Sequence, residues 1–493
     1  MKTKQIGKRT IAAGLCALVL CSLTPTSTYA NSAQKRWDGV DATGAMISGE
    51  DTSDSPIIVE KEVLTFDIPE FPQEYYREQE DYLSYGGKVT AEYTFYNPSE
   101  YTVTAKLLFP FGNEPDYAYN YNHETDQRVS NIDTEKFDIL VNGEAVEKKI
   151  RYSLTYPYSQ FELERDLALL HDGFREDAFY SPDTTVTMYI YRINNVDTET
   201  YRAANIAFDV KQGDESRKFY FVNQSGFHTQ KDGDIRLSSW VENGPDGAKA
   251  ILYVIGEPLD VQPEWKLYQD GGVEDGEEIP GTVSYDSAVT ETMTLYDFAL
   301  QNWSEETGVS ETDWYNAVIA EMTEDGAHYK NGILTLERFR QGLERSLMRW
   351  YEYEITLAPE ERIVNTVTAP MYPGIDLTYE PPVYKYTYLL SPAKTWRAFM
   401  ELEIYINTSY YLTETTVDGF KQYSDGYLVF LDGLPTQELE FTLSSESNPK
   451  GPGGNAGTSG KTLRTLILLC AGVICIAGTF GNLLSKGRKK DES

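Results

Sequence analysis

Metal and nucleophile sites need histidine, cysteine or serine at set spacings, and this chain lacks those spacings. The four histidines, His123, His171, His228 and His328, form no His-x-x-x-His or His-Glu-x-x-His pair, which excludes a zinc-protease helix. Each reads as a surface or satisfied core histidine. The four cysteines, Cys16, Cys21, Cys470 and Cys475, lie in two apolar stretches at the chain ends, so residues 22–469 carry no thiol. A disulfide scaffold, a Cys-liganded zinc and a cysteine nucleophile are therefore excluded. Gly-x-Ser-x-Gly, Gly-x-x-x-x-Gly-Lys-Ser/Thr and Gly-x-Gly-x-x-Gly turns are absent as well, which removes the common hydrolase, nucleotide and dinucleotide signals.

Carboxylate chemistry stays open, because a glycosidase needs only two acids about 5–10 Å apart in space. Acids are abundant: 77 against 43 lysines and arginines in 493 residues, a net charge of −34. Most of the masking charge sits at the ends, so residues 31–460 hold 75 acidic and 33 basic side chains, a net of −42. Such a field excludes nucleic acid and favours cations or basic partners. Calcium is the one ion worth testing, yet Asp232–Asp234 and Asp270–Glu278 are acidic loops without the EF-hand spacing. No catalytic residue, metal ligand or cofactor site can be named from these acids, whose plainest role is a solvated surface. Tyrosines at 117, 119 and 121 and at 384, 386 and 388 could stack on sugar rings, although the second trio alternates as a sheet face does. The sequons at Asn223, Asn302 and Asn407 are near chance frequency and read as inert.

The ends set the expected topology. Lys2, Lys4, Lys8 and Arg9 precede an apolar run from Ile11 to Leu23 and a small-residue site at Thr28–Ala30, the pattern of a secretory signal peptide over 1–30. Residues 465–484 carry no charge and, at 1.5 Å per residue, cover about 30 Å, so 461–485 is expected to be one transmembrane helix. Lys486, Arg488, Lys489 and Lys490 place the tail 486–493 in the cytoplasm and the rest outside. Between them, 31–55 reads as a flexible leader, and 444–460 as a stalk with five Gly, two Pro and four Ser.

The remainder alternates with period two. Val89, Ala91, Tyr93 and Phe95, then Val103, Ala105, Leu107 and Phe109 after Asn97-Pro98, predict an antiparallel hairpin with one dry face. Asn142-Gly143 predicts a type I′ turn. Helices are expected over Phe161 to His171, with Gly173 as a left-handed cap, after Ser310, whose spacing to Asp313 suits a capping box, and from Thr335, with Leu336, Phe339, Leu343 and Leu347 on one face. The fold class is thus mainly β: β-sandwich-like lobes over 56–280 and 351–443, a helical segment over 281–350, and the C-terminal helix. Pattern alone leaves one interrupted β domain as the alternative to two.

The runs VTAEYTFYNP at 89–98 and LLFPF at 107–111, with YLLSPAKTW at 388–396 and LPTQELEF at 434–441, resemble a family of bacterial exported proteins classed as a domain of unknown function. The resemblance implies export and β structure and brings no active site. Together these features predict a single-pass surface protein of a Gram-positive bacterium, non-enzymatic, whose acidic β-rich ectodomain binds a protein, glycan or cation or serves envelope structure. The alternative is a membrane-tethered carbohydrate-active enzyme using paired carboxylates.

Overall fold

A computed structural model describes residues 55–451 with breaks at 72–86, 113–118, 123–126, 131–137, 155–161, 177, 212–215, 230–233, 242, 245–246, 274–275, 286–289, 326–331, 337 and 340–342. It also places three short strands before them, Thr28–Ala30, Ala33–Asp38 and Ser48–Gly49. The chain is mainly β, with short helices. No helix among the described residues is long and apolar enough to cross a membrane; 461–485 and 486–493 lie outside them.

The larger lobe is a sandwich made from both ends of the described chain. Its eight-stranded sheet has at its centre, side by side, Arg362–Pro370, Lys88–Tyr96, Ile58–Asp67 and Phe399–Asn407. Facing it are two five-stranded sheets. One holds Lys148–Leu154, Leu347–Leu357 and Val103–Gly112, and the other Val383–Leu389, Leu439–Ser444 and Tyr411–Thr415. A single core of inward side chains joins all three, with Phe66, Tyr93 and Phe95 meeting Leu107, Tyr353, Tyr388 and Phe441. Strands from the expected 56–280 and 351–443 lobes therefore share sheets, because Arg362–Pro370 pairs with both Lys88–Tyr96 and Asp138–Val141.

The expected hairpin is instead an arch. Lys88–Tyr96 pairs within the eight-stranded sheet and Val103–Gly112 within the sheet opposite, so the chain crosses the core at Asn97. Alternation cannot separate the two outcomes, since both leave one face of each strand dry. Asn97, wholly buried, decides the matter: its Nδ2 donates to the carbonyls of Tyr101, Leu357 and Ala358 at 2.7, 3.2 and 3.0 Å, and its Oδ1 accepts from Ser99 N at 3.0 Å. The Asn142-Gly143 turn does form as expected, with φ of 50° and 83° joining Asp138–Val141 to Glu144–Ala145.

Residues 162–346 build a second, three-layered lobe. A four-stranded sheet, ordered Gln224–Thr229, Ile235–Trp240, Asn205–Val210 and Glu264–Tyr268, packs on one face of a larger sheet. In the latter, Arg217–Phe221 and Gly247–Gly256 bury side chains on both faces. Phe219, Phe221, Leu252 and Val254 face the four-stranded sheet, while Tyr220, Tyr253 and Ile255 face the helices Leu295–Ala299 and Glu311–Ala320. Ser310 caps the latter helix, its Oγ accepting from Asp313 N at 3.1 Å. Leu336, Phe339, Leu343 and Leu347 all join the helical core, but Leu343–Ser346 is a 3-10 turn and Leu347 opens a strand, so they do not form the single helix expected. The helix near 161–171 spans Leu163–Ala168, and Gly173 does not adopt the left-handed cap; its carbonyl accepts from Asn316 Nδ2.

The termini of the described chain also depart from the expected loose segments. Ala33–Asp38, within the 31–55 leader, pairs with Val103–Gly112, and Thr28–Ala30, the end of the expected 1–30 signal peptide, pairs in parallel with Val383–Leu389. Within the 444–460 stalk, Ser444 is buried and Lys450 exchanges two main-chain hydrogen bonds with Glu380, both 2.9 Å; 452–460 lie outside the described residues.

Two outcomes test this packing. Replacing Asn97 by Ala removes the three bonds its buried amide makes to the carbonyls of Tyr101, Leu357 and Ala358 and should lower unfolding free energy by about 1–3 kcal/mol in urea titrations, with a loss below about 0.5 kcal/mol contradicting the arch. Burial holds the Tyr386 and Tyr388 phenols well above their ordinary 10.0, and the Glu62 carboxylate adds to this at Tyr388. In the unfolded chain they ionise near 10, so their share of stability is intact below pH 10 and falls as pH rises beyond it. Phenolate absorbance should therefore contain a late step that coincides with loss of β circular dichroism, shallower in Tyr386→Phe.

Candidate functional site

The two lobes meet at a neck of two antiparallel strands, Lys148–Leu154 and Leu347–Leu357, in which Leu154 faces Leu347 and Arg151 faces Trp350. Arg151 is buried and gathers acids from three elements. Its Nε donates to Asp313 Oδ1 at 3.0 Å on the helix, and its Nη1 to Glu352 Oε2 at 2.7 Å on the neighbouring strand; Asp172 approaches at 3.3 Å. Asp313 Oδ2 also accepts from Tyr152 N at 3.0 Å. Burial alone would lower the guanidinium pKa, but the bonds and charges of Asp313 and Glu352 outweigh it and raise it. These acids are ion-paired and buried, which fits a fastening between lobes and not a proton-transfer pair.

A second polar group sits in the large core. Glu62, Tyr93 and Asn365 occupy one row across three adjacent strands, and Tyr388 from the facing sheet donates to Glu62 Oε1 at 3.4 Å. Asn365 Nδ2 donates to Tyr353 at 3.0 Å. Glu62 and Asn365 are fully buried, so no substrate reaches them in this conformation.

An accessible concavity lies on the outer face of the four-stranded sheet, an open cleft of about 510 Å³. One wall is the strand Gln224–Thr229, whose Ser225, Gly226, Phe227 and His228 line it together with Ser238 of the adjoining strand. The other wall is the loop after Glu264–Tyr268, through Gly271, Gly272, Val273 and Gly276. The strand register slips between Gln224 and Gly226, a bulge that leaves Ser225 as the extra residue. Its hydroxyl bonds Asn205 at 2.9 Å and Ser238 at 3.1 Å, and Ser238 donates to the carbonyl of Gly226 at 3.0 Å, so the floor is a closed chain of neutral hydrogen bonds.

Arg236 fixes the loop above this floor. It pairs with Asp209 through two bonds of 2.6 Å and donates to the Val273 carbonyl at 3.0 Å, while Val273 packs on Ala207 and Tyr268. The bond to Asp209 raises the Arg236 pKa despite partial burial. Glycine is required at 276, where a β-carbon would fall 1.9 Å from the Gly272 carbonyl oxygen. Gly271 lies against the indole of Trp240, which stays 42 % exposed at the rim.

Among the residues weighed from sequence, His228 reaches the cleft and His171 contributes its carbonyl to Arg151. His123, His328 and Tyr117 lie outside the described residues. The Asp270–Glu278 loop, expected as merely acidic, forms the cleft wall through its glycines. Among the described residues no three His, Cys, Asp or Glu side chains converge to hold a metal, and the calcium expectation finds no assembled site there. Ser225, Gly226 and Ser238 went unmarked, because a bulge and a facing loop have no spacing signature.

No protein-family model and no curated protein matches the chain, so the resemblance to exported proteins has no family model behind it. A solved structure from Legionella pneumophila, described as a candidate nutrient-binding protein, aligns over 85 % of this chain and 71 % of that one at 9 % identity with a TM-score of 0.30. A likeness that small carries no argument about fold or ligand.

The fastening can be tested directly. Arg151→Met leaves Asp313 buried without its cation, while Glu352 keeps Lys106 and Lys149 within 3.8 Å, and should cost about 3–5 kcal/mol of stability. A urea midpoint unchanged from the parent chain would show that Arg151 does not fasten the lobes.

Proposed function

We propose that the chain is a single-pass membrane protein of a Gram-positive bacterium whose acidic β-rich outer part binds a ligand, without catalysis, in the cleft between Gln224–Thr229 and the Gly271–Gly276 loop. The cleft itself carries this reading. It is open, within the size range of small-molecule sites, and lined by Ser225, His228 and Ser238 facing Gly271, Gly272, Val273 and Gly276. A glycosidase needs two carboxylates facing across a cleft, whereas Asp313 and Glu352, which converge among the described residues, are buried on Arg151.

The anchoring part rests on the sequence of the ends: the basic and apolar leader of 1–30, the uncharged run 465–484 and the basic tail after it. With Lys450 tied to Glu380, the linker left before the expected 461–485 helix is 452–460, whose Gly-rich coil would span on the order of 15–20 Å. The binding lobe would then work close to the membrane surface.

Cell fractionation and protease shaving test the topology, and hydrolysis assays test the absence of catalysis. The expected result is a full-length protein in the membrane fraction, shaved from outside to leave a small C-terminal fragment, and no release of reducing ends from a polysaccharide panel. Recovery in the culture medium would overturn the anchor, and polysaccharide hydrolysis by the purified chain would overturn the binding reading.

A further inference from the structure

We propose that the outer face of the large sandwich docks an arginine-bearing segment of a partner protein, at an aromatic centre rimmed by acids. This face rests neither on the cleft nor on the membrane anchor. Phe399–Asn407 and Gly426–Asp432 run side by side, with Glu403 opposite Phe430, Tyr405 opposite Leu428 and Glu401 opposite Asp432. Leu402, Ile404, Ile406 and Val429 fill the core, so by strand alternation these pairs face away from it. Phe430 is 59 % exposed, more than any other aromatic side chain among the described residues.

Ring geometry and charge together choose the partner. Tyr405 lies 6.3 Å from Phe430 at 89° and 6.3 Å from Tyr423, on the adjoining strand Lys421–Tyr423, at 77°. Rings at right angles make corners, not the flat platform on which a sugar ring stacks. A corner suits a guanidinium, whose plane lies on one ring while its edge N–H groups point at neighbouring carboxylates. Glu401 and Asp432 stand directly opposite each other, an arrangement that costs stability when no cation lies between them. Both are exposed and neither is ion-paired among the described residues, whereas Glu403 already holds Lys61 at 2.8 Å. Desolvation, then Glu403 beside Tyr405 and Asp425 beside Tyr423, raise both phenols above their ordinary pKa, as a negative local potential requires. The net charge of −34 draws the same class of partner from a distance. An aromatic centre within a polar rim is the anatomy of a protein–protein hot spot, where arginine is a favoured counterpart.

Isothermal titration of the full chain in nonionic detergent, with empty micelles subtracted, would use the peptide Ac-Arg-Ala-Arg-Ala-Arg-Ala-amide at physiological salt. Analogues with Lys, Ser or Glu in place of Arg serve as comparisons. The arginine peptide should bind, more tightly than the lysine analogue, with no heat from the serine and glutamate analogues. Phe430→Ala, and Glu401→Gln combined with Asp432→Asn, should each weaken it about tenfold, the worth of one cation–π contact or one charge-assisted bond. Glu257→Gln combined with Glu264→Gln removes the same charge from exposed sites on the inserted lobe and should leave binding unchanged. Should Phe430→Ala fail to fold by its thermal melt, the Glu401 and Asp432 variant carries the comparison. No binding of the arginine peptide, equal binding of the lysine or serine analogue, or affinity unchanged in both local variants overturns the proposal. A loss as large in the Glu257 and Glu264 variant also overturns it, by showing a diffuse charge effect. Sedimentation of the parent chain and of Phe430→Ala checks the other occupant: a dimer that Phe430→Ala dissociates gives the face to a second copy and overturns the partner assignment.

Discussion

One buried guanidinium fastens the molecule. Arg151 stands on a strand of the large sandwich, yet its two tightest carboxylates come from a helix of the inserted lobe and from the neighbouring neck strand. The chain leaves the sandwich at Leu154 and returns at Leu347, directly opposite, so the whole excursion closes on a single rung of antiparallel pairing. Loop-closure entropy grows slowly with length, which makes so long an insertion tolerable. A two-strand neck alone would still leave the lobe free to swing. The pairing of Asp313 to both Arg151 and the Tyr152 amide removes that freedom, because this acid would otherwise be buried without compensation.

The same logic governs the interior of the sandwich. Aligned polar groups at Glu62, Tyr93 and Asn365 cost desolvation, and only one arrangement of the facing sheets brings Tyr388 and Tyr353 to them. A slip of one residue in any of these strands would turn its polar member outward and bring a neighbour with the wrong chemistry inward. Buried polarity here trades stability for a unique register.

What could be read from the sequence was local. Asn142-Gly143 encodes its own turn, because two consecutive positive φ angles suit few other pairs. Ser310 likewise announces its helix through a side chain that reaches only three residues. The arch at Asn97 depends on carbonyls near residue 357, which no window around 97 contains. The apolar stripe from Leu336 to Leu347 was correctly apolar, but its burial is shared between a turn and a strand since the neck must begin at Leu347. The cleft was the least legible element: its walls come from residues some 45 positions apart, and their chemistry is glycine and serine, which sequence treats as punctuation.

The clasp between Lys450 and Glu380 has a mechanical consequence. Tension arriving along the chain from beyond Gly451 first loads two main-chain bonds, and then Leu439–Ser444, a strand bonded on both flanks by Val383–Leu389 and Tyr411–Thr415. Bonds on two sides of one strand share a lengthwise load, where an edge strand would unzip bond by bond. The sheet therefore receives the pull at an interior strand, and the inserted lobe with its cleft lies outside the line of force.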